Sequence, residues 1–145
     1  MGYHEMTADE VHVFLAAAPA RPGVLSTTRK DGRPHAAPIW YVVDDDGTIW
    51  FNTGADTVKD RNLRRTGQAV LTVQDDRAPF SFVAVEATAT LIDDGTTVRE
   101  LATRIGGRYM GADRAQEFGA RNGVPGELAV RLAATKVISA ADVAD

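Results

Sequence analysis

Apolar positions recur along the chain in two periods, and the change between them divides it. From Val24 to Ile92 the runs alternate or are β-branched and aromatic: Val24–Thr28, Pro34–Ala37 continuing into Ile39–Val43, Thr48–Thr53, Ala69–Val73 and Phe80–Ile92. In the last run Val83, Val85, Ala87, Ala89 and Leu91 share the core-facing side, and Phe80, Phe82, Ala84, Glu86, Thr88 and Thr90 the other. Lys30-Asp31-Gly32-Arg33 and Asp44-Asp45-Asp46-Gly47 carry the glycine that tight hairpin turns require. From Thr96 the period becomes helical. Val98, Leu101, Ala102 and Ile105 predict a helix ending at Gly106-Gly107, and a second helix is expected over Ala112–Arg121. Leu128–Leu132 returns to alternation as the last strand, with Thr135–Ser139 as its extension. Six strand-like runs with short turns predict a mainly β fold with flanking helices, an antiparallel barrel that leaves few exposed edges.

Local signals refine this outline. Met1–Met6 is expected to be a loose tail. Thr7-Ala8-Asp9-Glu10 is a capping box that opens a short amphipathic helix through Val11, Phe14, Leu15 and Ala18, ended by Pro19 and Pro22-Gly23. Pro38 cannot donate to a ladder, so its strand should lie at an edge or bulge. Between two strands lies Asp56-Thr57-Val58-Lys59-Asp60-Arg61-Asn62-Leu63-Arg64-Arg65, expected to be a helix with Asp56 as N-cap and Gly67 just past its end. A helix start beside hydroxyl and amide side chains and four basic residues suits a bound phosphate; the same residues also read as a solvated helix face.

With 145 residues, the chain is long enough for one domain around one core, and 1–145 is read as a single domain. A net charge of −4 argues against general nucleic-acid binding, while the local basic cluster suits a small anion. The absence of cysteine excludes disulfides and thiolate chemistry. No apolar run reaches a membrane span and the N-terminus lacks a signal-peptide core, so a cytoplasmic location without membrane or nucleic-acid partners is expected. No phosphate-binding loop, dinucleotide fingerprint or G-x-S-x-G elbow occurs. His4, His12 and His35 have no metal-ligand spacing, and His12 reads as a surface histidine.

Several stretches together look like one family. Leu25-Ser26-Thr27-Thr28, Lys30–Pro34, Pro38-Ile39-Trp40-Tyr41, Gly47–Thr53, Lys59–Arg65, Pro79–Val83 with Glu86, and Arg121–Gly126 followed by Val130-Arg131-Leu132 resemble the pyridoxamine 5′-phosphate oxidase-like split β-barrel family. They most resemble its branch of deazaflavin (coenzyme F420)-dependent oxidoreductases. The Arg- and His-rich C-terminal segment of the pyridoxamine oxidases proper is missing, which argues against pyridoxamine phosphate as substrate. The resemblance implies a six-stranded split barrel forming a homodimer, with cofactors in clefts between subunits. It sets Pro38, Ile39 and Trp40 along the cofactor ring and Asn52 and Thr53 at its polar groups. It sets Lys59 and Asn62 at the phosphate, and Phe80 and Phe82 as cleft walls from the partner. Arg61, Arg64 and Arg65 would reach the carboxylates of a polyglutamate tail or stay solvated. Hydride transfer from reduced F420 to a conjugated, electron-poor small molecule is the expected activity. His35 and Tyr41 are candidate proton donors, with solvent as the alternative. An FMN-binding oxidoreductase of the same fold, and a carrier that binds flavin, deazaflavin or haem without turnover, are the competing readings.

Overall fold

In the computed structural model, which describes residues 2–145, one seven-stranded antiparallel sheet carries the helices on its outside. The strands are β1 (Gly23–Thr28), β2 (Pro34–Ile39), β3 (Val42–Val43), β4 (Ile49–Gly54), β5 (Gln68–Asp75), β6 (Ser81–Ile92) and β7 (Glu127–Ala140), in the order β2-β1-β5-β6-β7-β4-β3. The two ends of that order, β2 and β3, are separated in the chain only by Trp40 and Tyr41, so the sheet curls round into a half-barrel. Seven strands, not six, result because the Ile39–Val43 run is divided at those two residues. There the ladder stops, and side chains of the long helix serve the Tyr41 peptide instead: its N–H donates to Tyr109 Oη (3.2 Å) and its carbonyl accepts from Arg108 (2.6 Å). Pro38 sits opposite Val24 on β2, an end strand of the sheet, where a missing donor costs nothing.

Buried side chains from β1, β4, β5, β6 and β7 fill the barrel, with Leu25, Phe51, Leu71, Val83 and Val130 inaccessible to solvent. The core-facing set of β6 is the expected one. β7 runs without a break from Glu127 to Ala140, so the Thr135–Ser139 extension is part of the strand, with a bulge where β6 passes from Glu86 to Ala87. From Ala133 to Ile138 every residue of β7 is exposed.

α1 (Ala8–Leu15) begins with the Thr7–Glu10 capping box. The tail before it is docked rather than loose. His4 exchanges backbone hydrogen bonds with Ala141, and the Met6 N–H donates to Ser139 Oγ (2.9 Å); Met1 of that predicted tail lies outside the described residues. α2 (Val58–Thr66) ends at Gly67, whose φ of 65° stops the helix. Its N-cap is Thr57, not Asp56. Thr57 Oγ1 accepts from the Asp60 N–H (3.2 Å), while Asp56 takes a left-handed φ of 63° in the preceding turn.

α3 (Gly95–Met110) passes straight through Gly106-Gly107, where a stop was expected. These glycines are contact points. α4 (Ala115–Asn122) folds back along α3 after a short 3-10 turn, and a Cβ at 106 would overlap the Phe118 side chain. Gly119 of α4 presses against Thr103 of α3 in the same way. This α3–α4 hairpin packs on β3, β4 and β7 through Val98, Leu101 and Ile105, and forms the outer wall of the site described next.

Candidate functional site

A cleft of about 470 Å³ opens where β2, β4, β7, α2 and α3 converge. Pro38, Ile39 and Trp40 form one side, Asn52, Thr53 and Gly54 the floor, and Thr57 and Lys59 one end; Ile105, Asn122 and Glu127 complete it with Pro22. Six of the residues expected at a cofactor are therefore brought together: Pro38, Ile39, Trp40, Asn52, Thr53 and Lys59.

The Thr57–Lys59 end is a set of donors. Thr57 Oγ1 donates to the Gly54 carbonyl (2.9 Å) and lies 3.3 Å from Thr53 Oγ1. Among the described residues the first-turn N–H groups of Val58 and Lys59 have no acceptor within the chain, and Lys59 Nζ has neither a hydrogen bond nor an ion pair. A helix start with free N–H groups and an uncommitted ammonium fits an anion. The Asn52 amide donates to the carbonyls of Leu128 (3.3 Å) and Val98 (3.5 Å), which leaves its own oxygen free to accept. Glu127 is the one acidic residue of the cleft. Burial holds its carboxyl above the usual glutamate range, and Lys59 pulls it part of the way back.

Trp40 ties the cleft lining to an aromatic cluster. The Trp40 indole stacks on Tyr109 with ring centres 4.9 Å apart and planes 2° from parallel, and Phe118 lies tilted against it at 6.3 Å. Along α3, Val98 meets Asn52 and Tyr109 meets Trp40, eleven residues or about 16 Å of helix rise apart.

The remaining expected residues lie elsewhere. Tyr41 is inaccessible, its hydroxyl donates to the Leu15 carbonyl (2.8 Å), and the Arg108 guanidinium covers its ring; burial pushes its pKa up to about 12. It is a core residue outside the cleft lining. His35, on β2, is not part of the cleft lining; burial, Arg29 and Lys59 hold its pKa below 6.5, and its Nδ1 is buried without a partner. Asn62 is buried and spent on packing: its amide donates to Thr27 Oγ1 (3.0 Å) and its oxygen accepts from Arg65. Arg61 and Arg65 face a second, open groove of about 600 Å³ with Arg29, Lys30 and Asp31. Arg61 donates to the Asp56 carbonyl (2.7 Å), Arg65 to that of Thr28, and Arg64 pairs with Asp60 (2.7 Å). Phe80 and Phe82 stand at the end of β6 that pairs with Ala140, whereas the cleft lies at the Glu127 end of β7. Within one protomer they do not reach it.

Thr57, Ile105, Asn122 and Glu127 belong to the cleft although none was assigned to a site from the sequence; Asn122 lies in the Arg121–Gly126 stretch that carried the family likeness. Thr57-x-x-Asp60 carried a capping signal for the first. The other three come from distant segments that only the fold assembles. Among the described residues no group of three or more His, Asp or Glu is placed to hold a metal ion, and no helix is long and apolar enough to cross a membrane.

A curled antiparallel sheet with a donor-lined cleft at the start of α2 is the arrangement of a flavin-type split barrel. The family model of pyridoxamine 5′-phosphate oxidase matches residues 7–139, and the chain belongs to that family. No curated protein gave a significant match. Among solved structures, a conserved hypothetical protein of Mycobacterium tuberculosis is similar at 28% identity with a TM-score of 0.80, covering 92% of this chain and 84% of that one. An F420 reductase shares the fold at 20% identity and a TM-score of 0.69, covering 88% and 94%. So does the haem storage protein HutZ of Vibrio cholerae, at 15% identity and 0.67, covering 90% and 92%.

Proposed function

We propose that the chain is an oxidoreductase that binds the deazaflavin F420 in this cleft and passes a hydride to a conjugated, electron-poor small molecule. The observation that carries the reading is the mixed lining of the cleft: anion donors at Thr57–Lys59 together with the apolar surfaces of Pro38, Ile39, Trp40 and Ile105. Lys59 and the α2 N–H groups hold the phosphate. Thr53 and Asn52 face the polar chain that follows, and Pro38, Ile39 and Trp40 bound the ring. What the bound cofactor supplies is the hydride, and the chain supplies orientation and electrostatics. The Trp40, Ile39 and Ile105 surfaces confine a flat substrate against the ring, where donor and acceptor carbons come within reaction distance. With Tyr41 buried and His35 outside the cleft, the accompanying proton comes from solvent through the cleft mouth.

The groove of Arg29, Lys30, Arg61 and Arg65 supports F420 over FMN. It carries four cations against Asp31, which is already paired with Arg33 (2.8 Å). It lies on the flank of the helix that begins at the phosphate end, where a polyglutamate tail would emerge. FMN has no such tail and remains the second reading, since Lys59 and the α2 N–H groups can hold either phosphate. The exposed Ala133–Ile138 stretch, with Val137 and Ile138 each 43% exposed, supports assembly as a homodimer. Phe80 and Phe82 would then approach the cleft from the partner.

The test is a pair of titrations with F420 and FMN across ionic strength, followed by tryptophan quenching. F420 affinity should fall more steeply with salt, and Arg61→Gln with Arg65→Gln should flatten that slope while leaving FMN nearly unchanged. Equal slopes before and after substitution would favour FMN. Binding without turnover of any enone or quinone would favour a carrier.

A further inference from the structure

We propose that Glu127 is a specificity residue that makes the cleft accept a phosphodiester in preference to a phosphomonoester. This rests on the reading of the cleft as the cofactor site and concerns which phosphate chemistry it admits. Glu127 is the first residue of β7 and pairs with Gly54, the last residue of β4 before the turn into α2. The Ala55 N–H donates to the Gly126 carbonyl (2.8 Å), which ties the start of β7 to that turn. The carboxylate is thereby fixed beside the helix start, and its Oε1 lies 4.0 Å from where a Cβ on Gly54 would be. It is half-buried, and among the described residues its side chain makes no hydrogen bond and no ion pair within 4.0 Å. A half-buried carboxylate left without a partner at an anion site has no role in holding the fold together.

Its charge does have a consequence for the ligand. The cleft contains one cation, Lys59, one anion, Glu127, and the partial positive charge of a helix start, about half a unit. The sum is about half a positive unit, which one negative charge exceeds slightly and two exceed by far more. The phosphate of F420 links two organic groups, so it is a diester with a single charge. The phosphate of FMN is a monoester, which near neutral pH carries about −1.5 to −2. Repulsion from Glu127 scales with ligand charge, so the penalty for the monoester is nearly twice that for the diester in free energy, and in affinity roughly the square.

The experiment titrates wild type, Glu127→Gln and Lys59→Gln with riboflavin, FMN and F420 at pH 7.5, reading affinity by tryptophan quenching. Glu127→Gln keeps the side-chain volume. It should tighten FMN about tenfold and F420 about threefold, in line with their charges, and leave riboflavin, which has no phosphate, unchanged. Lys59→Gln should shift the balance the opposite way, weakening FMN more than F420. Equal gains for FMN and F420 in Glu127→Gln, no gain for FMN, a gain for riboflavin as large as that for FMN, or FMN binding undetectable in both wild type and Glu127→Gln would each overturn the assignment. If Glu127→Gln does not fold, Glu127→Ala is titrated in its place: equal changes for FMN and F420 relative to riboflavin overturn the assignment. Failure of F420 to bind wild type would instead remove the F420 reading, and the FMN-to-riboflavin comparison would still decide the role of Glu127.

Discussion

Replacing Lys59 with alanine removes the one ammonium of the cleft. Lys59 is half-buried on the first turn of α2, and no acceptor within the described chain holds its Nζ, so the folded protein without ligand draws little from it. With a phosphate bound, it makes a charge-assisted hydrogen bond in a partly desolvated cleft, worth about 1.5–3 kcal/mol. At 1.4 kcal/mol per decade, Lys59→Ala should raise the Kd for F420 or FMN between about tenfold and about 150-fold. The melting temperature without cofactor should stay within the range of an ordinary surface substitution, about 0.5 kcal/mol either way. Riboflavin affinity should not move. The assay is a fluorescence titration with each ligand, paired with a thermal melt of the unliganded variant. Unchanged FMN and F420 affinity together with earlier melting would mean that the lysine serves the fold and that the phosphate binds elsewhere.

Three further outcomes follow from the packing and the charges. Gly106→Ala should cost about 1–3 kcal/mol in urea unfolding, because the new methyl meets Phe118 across the α3–α4 contact; a neutral effect would show that the hairpin can separate freely. Light scattering at micromolar concentration should report a dimer, and Ile138→Lys, which puts a charge on the exposed stretch of β7, should shift it towards monomer; a wild-type monomer that still binds cofactor would remove the shared-cleft reading. Hydrogen bonds from the Arg77 side chain and backbone, and the nearby Arg21, hold the Asp75 carboxyl down at about 2, against 3.8 when unperturbed. Its contribution is therefore complete above pH 3.8 and is lost as pH falls towards 2, so Asp75→Asn should flatten the acid limb of stability over that window; an identical acid limb would contradict the assignment.

The elements that rest on local rules were legible in the sequence. The Thr7–Glu10 capping box, both Asp-Gly or Asp-x-Gly hairpins, the left-handed Gly67 and the edge position of Pro38 each involve neighbours a few residues apart, and each stands as read. The errors arose where one residue type serves two purposes. Gly106-Gly107 looked like a helix stop, because glycine ends helices, but it also lets two helices touch, and only Phe118 on α4 decides between these uses. Tyr41 sat in an aromatic run whose alternation could not say that the strand breaks there and turns the ring inward under Arg108. On α2, the reading separated Lys59 from Arg61, Arg64 and Arg65, and the structure has the same division, but Asn62, expected beside Lys59 at the phosphate, is buried against Thr27. Lys59 faces the cleft, Arg61 and Arg65 the neighbouring groove, and Arg64 is neutralised by Asp60. Family likeness located Pro38–Trp40, Asn52, Thr53 and Lys59. It did not locate Glu127, whose place beside α2 depends on the register of β7 with β4.

The central claim is that the start of α2 seats the phosphate of a flavin-type cofactor. A crystal structure of the protein with F420 bound tests it most directly. The account predicts the phosphate within hydrogen-bonding distance of Lys59 Nζ and the Val58 and Lys59 N–H groups, with the ring beside Pro38–Trp40 and the glutamate tail along Arg61 and Arg65. A phosphate seated among Arg29, Lys30 and Arg65, with Lys59 left in solvent, would contradict it.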